Sequence, residues 1–280
     1  KVKKKVTFGL RCFNVPKGDI KNAYRKGKDE MKRQGRPCRY IGNEKKPAAV
    51  ALLRDSEVVS GKKGVELFVV GKSNELWVGK TIGVQDIDAY TWRDMEKPVR
   101  DMTVGILPPK LAQILLNLGG WMGREALSEE EKKKNAARKR KKKEIYTVLD
   151  PFCGTGVIPM ECLLREWPVE ASDSALKAVN GCKKNLEWLR KEKKILKKDV
   201  SDAVTKHDAT KAFSFKELPD IVVTETTLGP SLTKKPKKTE VNKLRKNNEK
   251  IQEAFLQNAA ATLPGVPIVC TWPFWRVNNE

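Results

Sequence analysis

The chain has 280 residues, with 57 Lys and Arg against 35 Asp and Glu and a formal net charge of +22. That length accommodates two modest domains, and so large a positive excess points to a polyanionic partner, most readily nucleic acid. No apolar run reaches membrane-span length, no secretory leader is recognisable, and six dispersed cysteines with one histidine, His207, exclude a clustered zinc site. Dispersed thiols suit a reducing compartment, so the expected location is cytoplasmic and the expected metal content none. A single histidine also leaves little for a Ser-His or Cys-His nucleophile. Because the chain begins at Lys1 rather than Met, further sequence is expected before it.

The pattern predicts a strand at 6–13, a lysine-rich helix at 20–34 and a stop at Gly35-Arg36-Pro37. Residues 48–53, 65–70 and 75–84 read as β-rich, the last two separated by a Gly-Lys-Ser-Asn turn. Tyr90, Trp92 and 93–100 read as an ordered loop. Pro108-Pro109 opens a helix over 110–118, closed by Gly119-Gly120, with Leu111, Ile114, Leu115 and Leu118 as its apolar face. In 131–143, nine of thirteen residues are Lys or Arg, which reads as a tRNA-reaching arm, a nuclear-targeting-like cluster or a solvated insertion.

From 145 onward, strand and helix alternate. Strands are predicted at 146–149, 169–172, 204–207, 221–224 and 267–271, and helices at 157–165, 175–194 and 243–263. Such alternation implies an α/β fold, a parallel sheet with helices on both faces.

The chemistry-bearing stretch is Asp150-Pro-Phe-Cys-Gly-Thr-Gly, between an apolar strand and a helix. Its glycines permit a sharp turn and close ligand approach, and the helix that follows offers free N–H groups. The third glycine of the dinucleotide fingerprint is absent, because position 159 is Pro. An acid directly before the loop suits an amino group better than a pyrophosphate. The next strand ends at Asp173-Ser174, placed to accept from ribose hydroxyls, and the third is followed by Asp208-Ala209, placed to accept from an adenine amine. Taken singly, each Asp reads more readily as a helix N-cap or loop residue; three at consecutive strand ends together describe a nucleoside pocket.

These residues resemble a known family. The run 150–161 is similar to the first motif of class I, THUMP-containing tRNA guanosine methyltransferases. Val84-Gln-Asp-Ile-Asp-Ala-Tyr, Arg93-Asp, Arg100-Asp and Gly105-Ile-Leu-Pro-Pro-Lys-Leu-Ala-Gln resemble the connector of the archaeal and eukaryotic tRNA guanosine-10 N2-methyltransferases. Asn185-Leu-Glu-Trp-Leu resembles their second helix. The resemblance implies an RNA-holding THUMP-like α+β domain over 1–90, incomplete at its beginning. It implies a connector with a basic insertion over 91–144, and a Rossmann-like class I methyltransferase domain over 145–280. It further implies S-adenosyl-L-methionine as cofactor, tRNA as substrate and the exocyclic N2 amine of a guanosine as acceptor. The cofactor would lie against Asp150, Phe152, Cys153, Gly154, Thr155, Gly156, Asp173, Ser174, Asp208 and Ala209. Some eukaryotic relatives work with a small activating protein subunit, which this sequence neither requires nor excludes.

Two departures stand out. Where the family has Asp-Pro-Pro-Tyr, this chain has Glu225-Thr226-Thr227-Leu228, then Gly229. Glu225 keeps a carboxylate one methylene longer, but the stiffening prolines are gone and Leu228 cannot stack as Tyr does. Glu225, Thr226 and Leu228 are thus the candidate catalytic residues of a divergent enzyme. The alternative is a relative that binds cofactor and RNA but has lost catalysis. Second, the family's sheet closes with an antiparallel hairpin, whereas this chain stops at Glu280, so further sequence is expected there. Trp272, Phe274 and Trp275 read as core or edge cover before they read as a stacking platform. Lys234, Lys235, Lys237 and Lys238 read equally as a phosphate contact or a solvated loop.

Overall fold

The computed structural model of the chain describes residues 5–72, 75–101, 106–126, 145–229 and 236–273. The basic block 131–143, Gly105, Lys234, Lys235, Phe274 and Trp275 lie outside the described residues. The chain divides into two compact units, Lys1–Ala89 and Tyr90–Glu280.

In the first unit the elements run β1 (Val6–Phe13), α1 (Lys17–Arg33), β2 (Cys38–Ile41), α2 (Val50–Asp55), β3 (Gly64–Lys72) and β4 (Glu75–Lys80). The sheet order is β2-β1-β3-β4, with β1 parallel to both neighbours and β4 antiparallel to β3. Where Thr7 faces Gly64, a Cβ would stand 1.6 Å from the Thr7 carbonyl oxygen, so only glycine lets β3 approach there. Tyr24 of α1 ties the sheet to the helix: its hydroxyl accepts from the Leu10 N–H at 2.9 Å and donates to the Ile41 carbonyl at 3.0 Å. The reading of 48–53 as β-rich is overturned. That run is largely α2, whose Leu53 is buried and Leu52 exposed, and a short apolar run does not by itself separate strand from helix.

The second unit follows as α3 (Ile87–Met95, beginning in the first unit), α4 (Pro109–Ala126), β5 (Val148–Asp150), α5 (Val157–Leu164) and β6 (Val169–Asp173). It continues with α6 (Leu176–Lys193), β7 (Asp202–Lys206), β8 (Ile221–Glu225), α7 (Lys238–Thr262) and β9 (Ile268–Thr271). The five strands are parallel, in the order β7-β6-β5-β8-β9. This is the open, Rossmann-like arrangement, and its order reverses between β5 and β8. The apolar strands β5 and β8 are buried on both faces, as the centre of such a sheet requires.

Two expectations for the connector are corrected. The segment read as an ordered loop is helical over 87–95. There Arg93 Nε lies 2.7 Å from the buried Glu161 of α5, and Trp92 stacks on Trp188 of α6 with centroids 4.5 Å apart. Helix α4 does not stop at Gly119-Gly120 but runs on to Ala126. A Cβ on Gly119 would come within 2.7 Å of Val223 Cγ2, and one on Gly123 within 2.9 Å of Ile221 Cγ2. These glycines bring α4 flush onto β8 rather than ending it. The buried face is accordingly Ala112, Leu115, Leu116, Gly119, Gly120 and Gly123, leaving Ile114 and Leu118 half exposed. Among the described residues no helix is long and apolar enough to cross a membrane.

Candidate active site

A reversal in strand order leaves the two flanking crossovers on opposite faces, so a crevice opens at the carboxyl ends of the strands. A cleft of about 880 Å³ lies there, walled by the residues that follow β5, β6, β7 and β8 and by one side of α7.

On the β5–β6–β7 side the wall is the glycine loop and the turns beside it. Asp150 ends β5 and is 1% exposed. Burial pushes its carboxyl up to about 7, against the pull of a 2.7 Å hydrogen bond donated by the Thr224 hydroxyl and a longer one from the Phe152 N–H. Gly154 and Gly156 both have positive φ, +51° and +91°. A Cβ on Gly156 would also meet Cys182 Sγ at 2.6 Å, so this N-cap of α5 is glycine on two counts.

Asp173 at the end of β6 holds the loop in place. One carboxylate oxygen accepts from the Gly154 N–H at 3.0 Å and the other from the Ala175 N–H at 2.9 Å. From behind, buried Asn185 of α6 donates to the Thr155 carbonyl at 2.8 Å and to the Val99 carbonyl at 2.9 Å, and accepts from the Val99 N–H. Asp208 accepts from both the backbone N–H and the hydroxyl of Thr210, and the backbone bond chiefly holds its carboxyl below the usual value. The Cys153 thiol is pushed up by Cys182 and by burial, which makes it a packing group rather than a nucleophile.

On the β8 side stand Glu225, Thr226, Thr227, Leu228 and Gly229. Glu225 ends β8 and is partly buried, which raises its carboxyl above the usual range. Phe152 closes the floor edge-on against Phe255 of α7, centroids 5.2 Å apart.

The cleft therefore brings together Asp150, Phe152, Cys153, Gly154, Thr155, Asp173, Ser174, Asp208, Ala209, Glu225, Thr226 and Leu228. Gly156 shapes the wall without lining it. Sequence reasoning did not single out Thr224, nor Asn247, Lys250, Ile251 and Ala254, which line the cleft from α7. The one available signal was their i, i+3, i+4, i+7 spacing on a predicted helix. Of Lys237 and Lys238, neither lines the cleft; they cap and open α7. His207 contacts the Lys211 carbonyl and the Phe213 ring and lies outside the wall. Among the described residues no group of three or more His, Cys, Asp or Glu side chains could hold a metal ion.

The donor set fits a nucleoside-bearing cation better than a dinucleotide. Asp150 and Asp173 flank the glycine loop, where a pyrophosphate would meet carboxylates, and an ammonium and ribose hydroxyls would find acceptors.

No protein-family model matches the chain, and no curated protein does. Matches to solved structures are weak. Against YjhP from E. coli, identity is 18% over 36% of this chain and 38% of that one, with a TM-score of 0.24. Against a structure titled as a putative RNA methyltransferase, PH1948 from Pyrococcus horikoshii, identity is 18% over 58% of this chain and 68% of that one, TM-score 0.32. The glycopeptide N-methyltransferase MtfA, complexed with S-adenosyl-L-methionine, gives 16% identity, 51% coverage of each chain and a TM-score of 0.29. The chain thus spans about two-fifths of YjhP. Likenesses this slight carry no argument, and the fold rests on the chain's own strand order.

Proposed function

We propose that the chain transfers a methyl group from S-adenosyl-L-methionine to the exocyclic N2 amine of a guanosine in tRNA. The observation that carries this reading is the cleft at the sheet's reversal point, with Asp150 and Asp173 beside a glycine loop and Glu225 across from them. In this reading Asp150 pairs with the amino group of the cofactor, Asp173 with its ribose and Asp208 with the adenine edge. Ser174 and Ala209 flank these contacts. When bound, the sulfonium would supply an already activated methyl carbon, its S–C bond breaking to leave a neutral thioether, so the chain's work is to position the acceptor. Glu225 accepts a hydrogen bond from the amine and takes the proton released as the nitrogen gains its methyl. Leu228 packs on the base.

The domain roles are part of the proposal: an RNA-holding module over 1–90, a connector over 91–144 and the transferase over 145–280. The net charge of +22 supports a tRNA partner, and six free cysteines support a cytoplasmic setting. A second reading, a relative that binds cofactor and RNA without catalysis, is favoured by one observation: residues 226–229 offer no aromatic face.

The deciding experiment is transfer of labelled methyl from S-adenosylmethionine to unmodified bulk tRNA, comparing the chain with Glu225→Ala. Activity lost in the variant supports the first reading. Cofactor binding without transfer in either form supports the second, and absence of cofactor binding by calorimetry sinks both.

A further inference from the structure

The loop after Glu225 lacks the two prolines of the motif it resembles, and the structure contains a different source of stiffness. The last Cα pair between β8 and β9 is Glu225 with Thr271. Thr226 adds one more rung with its side chain: its hydroxyl donates to the Thr271 carbonyl at 2.8 Å. The same oxygen accepts from Gln252 Nε2 of α7 at 2.9 Å. Both side chains are buried, Thr226 at 2% exposure and Gln252 at 0%. A hydroxyl with its proton donated and a lone pair filled is fixed from two directions. One turn back on α7, buried Asn248 lies under Gly229, where a Cβ would stand 3.5 Å from its side-chain nitrogen. Gly229 itself has φ +87°.

This cluster is polar where an apolar wall would be cheaper to build. Gln252 Oε1, Asn248 Nδ2 and Thr271 Oγ1 are all buried without a hydrogen-bond partner among the described residues. Buried polar side chains need their hydrogen bonds made, so three of them beside one loop are better explained by position than by packing alone. Its location explains it better: α7 presents Asn247, Lys250, Ile251 and Ala254 to the cleft, while buried Asn248 and Gln252 meet the acceptor loop itself, at Gly229 and Thr226.

We propose that Thr226 and Gln252 are positioning residues, a hydrogen-bonded clamp that holds Glu225 and residues 226–229 in register for the acceptor amine. A proline restricts the backbone through its ring; the clamp restricts it by tying the first residue after Glu225 to a neighbouring strand and a helix. The inference rests on the methyl-transfer reading, because it assigns that loop to the acceptor.

The test uses the full chain with three substitutions: Thr226→Val, which keeps volume and removes both hydroxyl bonds, Gln252→Met, which keeps volume and removes only the bond to Thr226, and Thr226→Ser, which keeps the hydroxyl. Amide hydrogen exchange across 226–229, cofactor affinity by calorimetry, and kcat and KM for bulk tRNA are measured. Expected are at least tenfold faster exchange and a ten- to hundredfold lower kcat in Thr226→Val and Gln252→Met. Cofactor affinity should stay within twofold, and Thr226→Ser within threefold of the parent. Unchanged exchange in both clamp variants overturns the proposal, as does unchanged kcat with loosened amides, or a Thr226→Ser loss equal to that of Thr226→Val. If the parent chain methylates no tRNA, the methyl-transfer reading fails. Faster exchange would then leave a structural clamp only, and the positioning role would fall with it.

Discussion

The two sides of the cleft are held by different means. On the β5–β6–β7 side the wall is mostly backbone, bent by two positive-φ glycines and pinned by Asp173 and Asn185 through main-chain groups. On the β8–β9 side the wall is pinned through side chains, the Thr226 hydroxyl being caught between Thr271 and Gln252. A wall of backbone tolerates changes in most side chains, because its geometry is set by the few residues that permit the turn. A wall held by side chains can be retuned, or lost, by one substitution. In the proposed reading the first side receives an invariant cofactor and the second a variable acceptor, and the two constructions suit those tasks.

The sharpest way to separate the sides is to remove one carboxylate from each. Glu225→Ala should reduce methyl transfer on the order of 10²–10⁴-fold, the usual yield of a positioned acid or base. Cofactor affinity by calorimetry should barely move. Asp173→Ala should do the reverse. With both Gly154 and Ala175 N–H groups losing their charged acceptor, cofactor affinity should fall roughly 10- to 100-fold. Saturating cofactor should restore much of the rate. If both variants lose affinity equally, the two sides are not independent and the comparison fails.

Asp150 sits at the seam, and pH reads it. Its folded carboxyl is raised from the ordinary 3.8 to about 7, so the folded chain holds a proton that the unfolded chain sheds between those values. A raised folded value means stability falls as pH climbs from about 4 to about 7 and is flat above. Asp150→Asn removes that penalty. The variant should be more stable than the parent at pH 8, by up to roughly 4 kcal/mol, and nearly equal to it at pH 4. Denaturant melts at the two pH values check this. Cofactor affinity runs the other way: an amino group needs the ionised carboxylate, so affinity in the parent should fall about tenfold between pH 8 and pH 6. Glu225, also raised by burial, should place the acidic limb of the kcat profile above the ordinary carboxylate range.

The same contrast explains what could be read from the residues alone. The glycine loop, its flanking strands and the strand-end acids are local: strand, turn and helix lie within a few residues, and each states its preference where it stands. The clamp is not local. Thr226 meets Gln252 26 positions later and Thr271 45 positions later, and no pattern of spacing marks such a meeting. The prolines of the resembled motif are visibly missing; what replaces them is visible only once β8, β9 and α7 are in place. Gly119 and Gly120 failed for a related reason. Their composition signals a helix end, and tertiary packing against Val223 and Trp167 gives them another use. The helix α2 shows the limit of short apolar runs, where strand and helix patterns coincide.

The smallest expected effect is also a comparison across the cleft, between one lysine on each lip. Lys177 lines the cofactor side and lies 2.7 Å from Asp101, so its charge is already answered within the chain. Lys250 lines the acceptor side from α7. If tRNA approaches along the acceptor lip, Lys250→Gln removes about one phosphate neutralisation. It should weaken tRNA binding roughly two- to threefold at physiological salt and lower the slope of log affinity against log salt by about one. Lys177→Gln should leave that slope unchanged within error, because an exposed pair answered by its own carboxylate releases few counterions. Filter binding of bulk tRNA over a salt series measures both. Equal slopes for the two variants would mean that RNA does not distinguish the lips and that the acceptor enters elsewhere along the cleft. A larger loss in Lys177→Gln would reverse the assignment of the two sides.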